Sequence, residues 1–110
     1  MANTFKNAAL SDVSDSSYDT LYTAPSGTQV VVLGLAIANK TTSAVTVQVQ
    51  FSDSSAASTH QLLENVSIPA NTTLETLAGQ KYILEASDAL KVQAGTASAL
   101  DVVLGLMEKS

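Results

Sequence analysis

The strict alternation of apolar and polar residues over residues 44–52 constrains the fold of this chain more than any other feature. The apolar residues occupy every second position, namely Val45, Val47, Val49 and Phe51. Successive side chains of a β-strand point to opposite faces, whereas an α-helix brings residues to one face every three or four positions. The run therefore predicts a strand with one face in the core and the other in water.

Further runs of this kind follow at short intervals along the 110 residues, separated by turns rich in Gly, Pro, Asn, Asp and Ser. Ser, Thr and β-branched residues are mediocre helix formers, and their abundance argues against a helical domain. The pattern predicts an all-β fold, a single antiparallel β-sandwich of about seven or eight strands with jelly-roll or immunoglobulin-like topology. The other strand candidates are residues 19–23, 28–39, 59–66, 72–77, 81–85, 90–94 and 100–107.

The alternation also predicts which side chains fill the core. The chain has no Cys and no Trp, so the core has to be built mainly from aliphatic residues without a disulfide. The predicted core residues are Val31, Leu33, Leu35, Ile37, Val45, Val47, Val49, Phe51, Ile83, Leu90, Val92, Val102 and Leu104.

Residues 1–17 differ from the rest of the chain. A modest apolar group around Phe5 and Leu10 precedes a polar, acidic stretch at 11–17. A terminal segment with few apolar anchors is seldom ordered unless it is docked. We expect it to form either a first edge strand or an N-terminal arm on a neighbouring subunit, with the sandwich domain in residues 18–110.

The sequence VLGL occurs twice, at residues 32–35 and 103–106, and each copy places a glycine within a predicted strand. A mid-strand glycine often marks a close backbone approach. The outer face of these strands would be apolar, and an apolar face needs a cover, either the chain's own N-terminal segment or another subunit. The residues predicted for this interface are Phe5, Leu10, Val32, Gly34, Ala36, Val103, Gly105 and Met107.

The charge balance argues against several partners. The sequence has ten acidic residues and five lysines, its net charge is -5, and it contains no Arg. Nucleic-acid binding needs clustered cations, so no nucleic acid is expected as a partner. The longest apolar run, residues 30–38, is far shorter than the roughly 20 residues that span a bilayer, and no signal peptide is evident, so no membrane partner is expected either.

No constellation of residues points to catalysis, a metal or a cofactor. The single histidine, His60, has no ligand set at metal spacing around it. The carboxylates of Asp12, Asp15 and Asp19 suggest a calcium site. Their spacing, however, differs from that of the Asp-x-Asp-x-Asp-Gly calcium loop, and the glycine that turns the chain in that loop is missing. The sequence predicts a solvated acidic loop there, and no enzyme.

Short stretches spread over nearly the whole chain resemble a group of small virion structural proteins of tailed phages, especially marine cyanophages. The matching stretches are residues 3–8 (NTFKNA), 21–27 (LYTAPSG), 31–35 (VVLGL), 38–41 (ANKT), 45–51, 68–71 (IPAN), 79–81 (GQK), 84–88 (LEASD) and 101–108. They are hydrophobic patterns and turns without catalytic residues, so the resemblance assigns none.

The resemblance implies a capsid decoration, or cement, protein that binds and stabilises the assembled head. It also implies the major capsid protein or other virion proteins as partners, a homo-oligomer with a trimer favoured, no cofactor, and a place in the virion after assembly in the host cytoplasm. A tail or neck accessory protein of the virion would show the same pattern. A carbohydrate-binding β-sandwich module is a further alternative, although only Tyr18, Tyr22 and Tyr82 could supply an aromatic platform.

Overall fold

The computed structural model describes residues 3–75 and 82–109 of the chain. Its regular elements are all β-strands, and no helix occurs among the described residues. The strands are β1 (Asn3–Leu10), β2 (Asp19–Thr23), β3 (Gln29–Asn39), β4 (Val45–Asp53), β5 (Ser58–Ile68), β6 (Thr73–Glu75), β7 (Tyr82–Leu84), β8 (Ala89–Ala94) and β9 (Leu100–Lys109).

The strands form two antiparallel sheets packed as a sandwich, which confirms the predicted fold class. Sheet A has the order β1-β9-β3-β6, with β7 also pairing with β3, and sheet B has the order β2-β8-β4-β5. β6 pairs with residues 36–38 and β7 with residues 30–32 of the same strand, so the two act as one interrupted strand. The nine described strands thus correspond to the eight positions of a double-sheet fold.

The order of pairing decides between the two predicted topologies. The first strand pairs with the last (β1 with β9), the second with the one before it (β2 with β8), β3 with β6 and β7, and β4 with β5. This nested pairing, divided over two four-stranded sheets, is the jelly-roll arrangement.

The core lies between the two sheets and consists of aliphatic side chains. Most residues predicted for it are buried, and the central strand β4 follows the predicted alternation. The predicted core residues that are buried are Leu35, Ile37, Val45, Val47, Val49, Leu90, Val92, Val102 and Leu104, and Phe51 packs against them partly buried.

The prediction was wrong for Val31, Leu33 and Ile83, which do not belong to the core. Leu33 is 40% exposed and Ile83 is 54% exposed, and both lie on the outer side of sheet A. The cause is a register shift between Val32 and Gly34, where β3 has one more residue than β9 opposite it. Before this bulge the even-numbered residues of β3 face the core, and after it the odd-numbered ones do, so Val30 is fully buried.

Asn39 closes one end of the sandwich with buried hydrogen bonds. Its amide nitrogen donates to the carbonyl oxygens of Ser43 and Ile68, each at 2.9 Å. Its side-chain oxygen accepts from the backbone N–H of Thr41 at 2.9 Å and from its hydroxyl at 2.8 Å. Only 3% of Asn39 is exposed, so these bonds satisfy a polar group that water cannot reach.

Candidate functional site

The outer face of sheet A carries a row of large apolar side chains that crosses four strands. Phe5 of β1 lies opposite Met107 of β9, Met107 lies opposite Val31 of β3, and Val31 lies opposite Ile83 of β7. Phe5 is 75% exposed and Ile83 is 54% exposed, while Met107 and Val31 between them are half-buried. We call this row the apolar ridge.

The next row along the strands is almost without side chains. Asn7 lies opposite Gly105, and Gly105 lies opposite Gly34. A Cβ atom added at either glycine would meet no heavy atom within 4 Å, so open space lies directly above the backbone. We call this row the glycine furrow. A neighbouring backbone can approach the sheet more closely here than over any row that carries side chains.

A third row completes the face beyond the furrow. Ala9 lies opposite Val103, which lies opposite Ala36. Val103 is 51% exposed although it is a large apolar residue. The large apolar residues that are exposed in the described part of the chain all lie on this side of sheet A. They are Phe5, Leu33, Ile83 and Val103. Together, the ridge, the furrow and this third row form what we call the apolar face.

The apolar face is nearly free of charge, whereas the opposite side of the sandwich is polar. In the described part of the chain, these three rows contain one charged residue. It is Glu75, which lies opposite Ala36 at the margin of the sheet. The outward positions of the central strand of sheet B are Thr46, Gln48, Gln50 and Ser52. The two sides of the molecule therefore differ in polarity, and an apolar patch of this kind is typical of association sites.

The N-terminal segment does not cover the apolar face. β1 lies beside β9 in the same sheet, with hydrogen-bonded register from Asn3 opposite Lys109 to Leu10 opposite Val102. β1 is therefore an edge strand, and it extends the face by adding Phe5 to it. No described residue lies over the ridge and the furrow.

Six of the eight residues predicted for the interface lie on the apolar face: Phe5, Gly34, Ala36, Val103, Gly105 and Met107. The other two do not. Val32 is fully buried in the core because the bulge inverts the alternation of β3, and Leu10 is half-buried against the core because it lies opposite the inward-facing Val102. The sequence did not identify four further residues of this face, namely Ala9, Val31, Leu33 and Ile83. For Val31 and Leu33 the reason is that no sequence signal locates the bulge in β3.

His60 lies on the edge strand β5 of sheet B, opposite Phe51. Its Nε2 atom is 3.1 Å from the hydroxyl oxygen of Ser58, and its ring stacks on Phe51 with 6.5 Å between the ring centroids. Ser58 and His60 are neighbours on one strand, and His60 is exposed to solvent. An activated nucleophile and base also need a third group that orients the base, and no hydrogen bond from such a group to His60 is found among the described residues.

The acidic residues near the N-terminus do not converge on one point. Asp12 accepts a bond from the ammonium group of Lys40 at 2.6 Å, and the same ammonium lies 2.9 Å from Asp101. Asp19 instead accepts the backbone N–H of Ser14 at 2.9 Å. Among the described residues, no group of three or more His, Cys, Asp or Glu side chains could hold a metal ion.

Both described tyrosine side chains are engaged through their hydroxyl groups. Tyr18 donates to Gln48 at 2.7 Å, and Tyr22 donates to the carboxylate of Glu108. Both are half-buried, so neither presents a flat exposed platform for a sugar. Tyr82 belongs to β7, but its side chain lies outside the part of the structure that is described.

Glu108 links the two sheets at one end of the sandwich. The hydroxyl of Tyr22 and, 3.0 Å away, the ammonium of Lys6 hold the pKa of the Glu108 carboxyl below its usual value. Burial, and then the hydrogen bond to this carboxylate, raise the pKa of Tyr22. Because Lys6 belongs to β1, this ion pair attaches the edge strand to the rest of the domain.

A groove of about 510 Å³ lies at the same end of the molecule, lined by residues 27–29, 55, 85, 86 and 109. Its charged lining residues are Glu85 and Lys109, of opposite sign. These residues do not form a convergent set of polar groups, so the groove has no feature of a small-molecule site. No helix in the described residues is long and apolar enough to cross a membrane.

The fold and the face together define a jelly-roll β-sandwich with one apolar side that none of the described residues covers. No protein-family model matches the sequence, and no curated protein matches it. Solved structures do match. One is a chain of the Bacillus endospore appendages that form disulfide-linked pili, with a TM-score of 0.50 and 12% identity, over 96% of this chain and 85% of that one. The present chain has no cysteine with which to form such a link.

Two further similar structures come from viruses. A chain of infectious bursal disease virus, Gx strain, gives a TM-score of 0.48 and 6% identity, over 98% of this chain but 37% of its own length. A pentameric capsid protein from metagenomic phage sequences gives a TM-score of 0.40 and 18% identity, over 94% of this chain and 63% of that one. The present chain thus spans well under half of the bursal disease virus chain. At these identities the similarities concern the fold alone.

Proposed function

We propose that this protein is a structural component of a phage virion, a capsid decoration protein that binds the assembled head and stabilises it. The observation that carries the proposal is the apolar face, which presents Phe5, Ile83 and Val103 to solvent beside two glycines with open space above them. The resemblance of the sequence to small virion proteins of tailed phages points to the particle, and the face supplies a means of attachment.

The apolar face is suited to docking on a protein surface. Three rows over four strands cover about 19 Å by about 20 Å, or about 400 Å², by the usual strand spacing and rise. Contact with a capsid surface would remove these apolar groups from water, and the glycine furrow would admit a strand or loop backbone of the capsid protein. A protein that binds only the assembled shell stabilises that shell by mass action.

A single face of this size is too small for a tight complex. Stable interfaces bury about 800 Å² on each partner, roughly twice the area of the apolar face. Attachment through several linked copies would compensate, because each further contact becomes intramolecular after the first. This is the physical reason to propose a homo-oligomer, and a trimer would suit a three-fold position of a shell.

The partner in this proposal is the major capsid protein, and the location is the virion, reached after assembly in the host cytoplasm. A tail or neck accessory protein is the second candidate, since the same face would serve there with a different partner. The described tyrosine side chains do not favour the carbohydrate-binding alternative, because Tyr18 and Tyr22 are half-buried and hydrogen-bonded through their hydroxyl groups.

Co-sedimentation of the purified protein with empty heads, and separately with tails, tests the proposal. We expect binding to heads and a higher melting temperature of the decorated heads. The variant Gly105→Leu adds a side chain to the furrow at a position where its Cβ atom meets no heavy atom within 4 Å, so it should fold and lose head binding. Ser67→Leu adds the same side chain to the polar face of sheet B, at an exposed position of β5, and should bind normally. Binding to tails alone would support the second candidate, and binding to neither would contradict both.

A further inference from the structure

We infer that β1 is an exchangeable strand: in the oligomer, residues 3–10 of one copy pair with β9 of a neighbouring copy instead of their own. This inference rests on the proposed function, because it explains how the copies of a decoration protein are held together. It names the edge of β9 as the interaction surface and the β1 strand of a second copy as its occupant.

β1 is held to its own domain mainly by its pairing with β9, whereas β9 is fixed in the core by its own side chains. The side chains of Val102, Leu104 and Leu106 in β9 are buried, so this strand is fixed in the core. In β1, six of the eight residues are exposed, and only Ala8 and Leu10 reach the core, partly buried. What β1 contributes is a ladder of backbone hydrogen bonds along the edge of β9. The β1 strand of any copy can supply the same ladder.

The ion pair of β1 is equally transferable. Lys6 lies 3.0 Å from Glu108 of β9, and its side chain is 51% exposed. Lys6 of another copy, bound in the same register, would meet the same carboxylate. The exchange would therefore keep the electrostatic contact as well as the backbone bonds, and its cost in lost contacts is small.

The connection between β1 and the sandwich is short and strained. Val13 is fully buried, and its N–H donates to the carbonyl oxygen of Leu100 at 3.2 Å. Only Ser11 and Asp12 lie between this anchor and the end of β1, and both are exposed. Asp12 has a φ of 56°, in the left-handed region that non-glycine residues seldom adopt. A short hinge under strain favours strand exchange between copies.

The length of the hinge limits how the copies are arranged. Two extended residues span about 7 Å, so the β9 strand of the neighbour has to lie beside the hinge. Each copy would donate one strand and accept one, and a head-to-tail series of such contacts closes into a ring when the rotation between neighbouring copies allows it. A ring of three agrees with the trimer proposed above. Phe5 would then complete the apolar ridge of the neighbouring copy, so that no copy presents a whole apolar face alone.

Cysteine pairs test the exchange, because the natural chain has no cysteine to interfere. Ala9 lies directly opposite Val103 in the ladder between β1 and β9, at a separation typical of paired strands that a disulfide can bridge. The double variant Ala9→Cys with Val103→Cys is oxidised as purified and again on heads, then run on a non-reducing gel. We expect bands at two and three times the 11.3 kDa of one chain.

The matched control is Thr46→Cys with Ser67→Cys, which are opposite each other in the hairpin of β4 and β5. This pair should link within one chain and leave a monomer band. A monomer band from the Ala9 and Val103 pair, both in solution and on heads, would overturn the exchange. If that variant lost its β-sheet circular dichroism, Asn7→Cys with Gly105→Cys would replace it. Head binding is measured separately on the wild-type chain, because the substituted residues belong to the apolar face. Failure of the wild type to bind heads while the links form would count only against the proposed function.

Discussion

Replacing Val103 with Lys is the sharpest test of whether the apolar face docks on another protein. Val103 is 51% exposed at the centre of the third row of the face, opposite Ala9 and Ala36. The variant should fold, because the aliphatic stem of Lys covers the same neighbours while its ammonium stays in water. We expect the free energy of unfolding to change by less than about 1 kcal/mol, as for surface substitutions.

Docking on the head would enclose the side chain at position 103 and add a free-energy cost that the unbound variant does not have. An unpaired ammonium that is enclosed in an apolar interface costs several kcal/mol. Taking about 3 kcal/mol, and about 1.4 kcal/mol for each tenfold change in affinity, head binding should weaken by a factor of about 100. Val103→Thr keeps the shape and replaces one methyl group with a hydroxyl, so its loss of about 1–2 kcal/mol should weaken binding by roughly tenfold.

Titration of labelled protein against empty heads measures these affinities, and thermal unfolding of the free protein shows whether each variant is folded. Ser67→Lys places the same charge on the polar face of sheet B and serves as the matched control. The reasoning would be refuted if Val103→Lys bound heads as tightly as the wild type. Weaker binding of Ser67→Lys alone would place the docking surface on the other sheet.

Two further predictions concern stability. Asn39→Asp removes the three bonds that the amide nitrogen donates, to the carbonyl oxygens of Ser43, Ile68 and Pro69. The substitution should cost about 3 kcal/mol, which lowers the melting temperature by at least about 12 °C in a domain of this size. Asn7→Asp, on the exposed edge strand, should change the melting temperature little, and equal melting temperatures of the two variants would contradict the role given to Asn39. The lowered pKa of Glu108 means that its carboxylate stabilises the fold above about pH 4.3, the unfolded value, and that this stabilisation is lost as the pH falls through the folded value. Melting curves from pH 6 to pH 3 should therefore fall more steeply for the wild type than for Glu108→Gln, and parallel curves would exclude the contribution of Lys6 and Tyr22.

The sequence was sufficient to predict the strands whose two faces differ in polarity. In β4, Val47 alternates with Gln48, and the structure places the first in the core and the second toward solvent. The predicted strand at residues 19–23 coincides with β2. Burial of one face and hydration of the other leave a clear period of two, and such strands can be located from local composition.

The orientation of β3 could not be predicted, because both of its faces are apolar. Val31 and Leu33 carry the same side-chain chemistry as Val30 and Val32, so nothing in the composition distinguishes core from surface. The distinction depends on the one-residue bulge at Leu33, which arises from pairing with β9, about seventy residues further along the chain. Pairing between distant strands also decides the jelly-roll order, and local patterns carry no information on it.

The candidate site was predicted in part for the same reason. Gly34 and Gly105 were singled out because each interrupts a strand, and the structure places them opposite each other. The apolar ridge beside them was missed, since Ile83 lies in a strand of only three described residues and its outward direction follows from pairing with Val31. The sequence does not distinguish an N-terminal arm from an edge strand for β1, because most residues of this strand are exposed and give it little hydrophobic pattern.

The place of β9 between β1 and β3 has a consequence for how the polypeptide is made. Sheet A cannot close until residues 100–109 have emerged from the ribosome, because β9 is the partner of both strands. Until then β3, with apolar side chains on both faces, has no neighbour on that side and is open to intermolecular aggregation. Contacts between strands so far apart in sequence also slow folding. Rapid overproduction should therefore yield insoluble protein, and slower synthesis at low temperature should increase the folded yield.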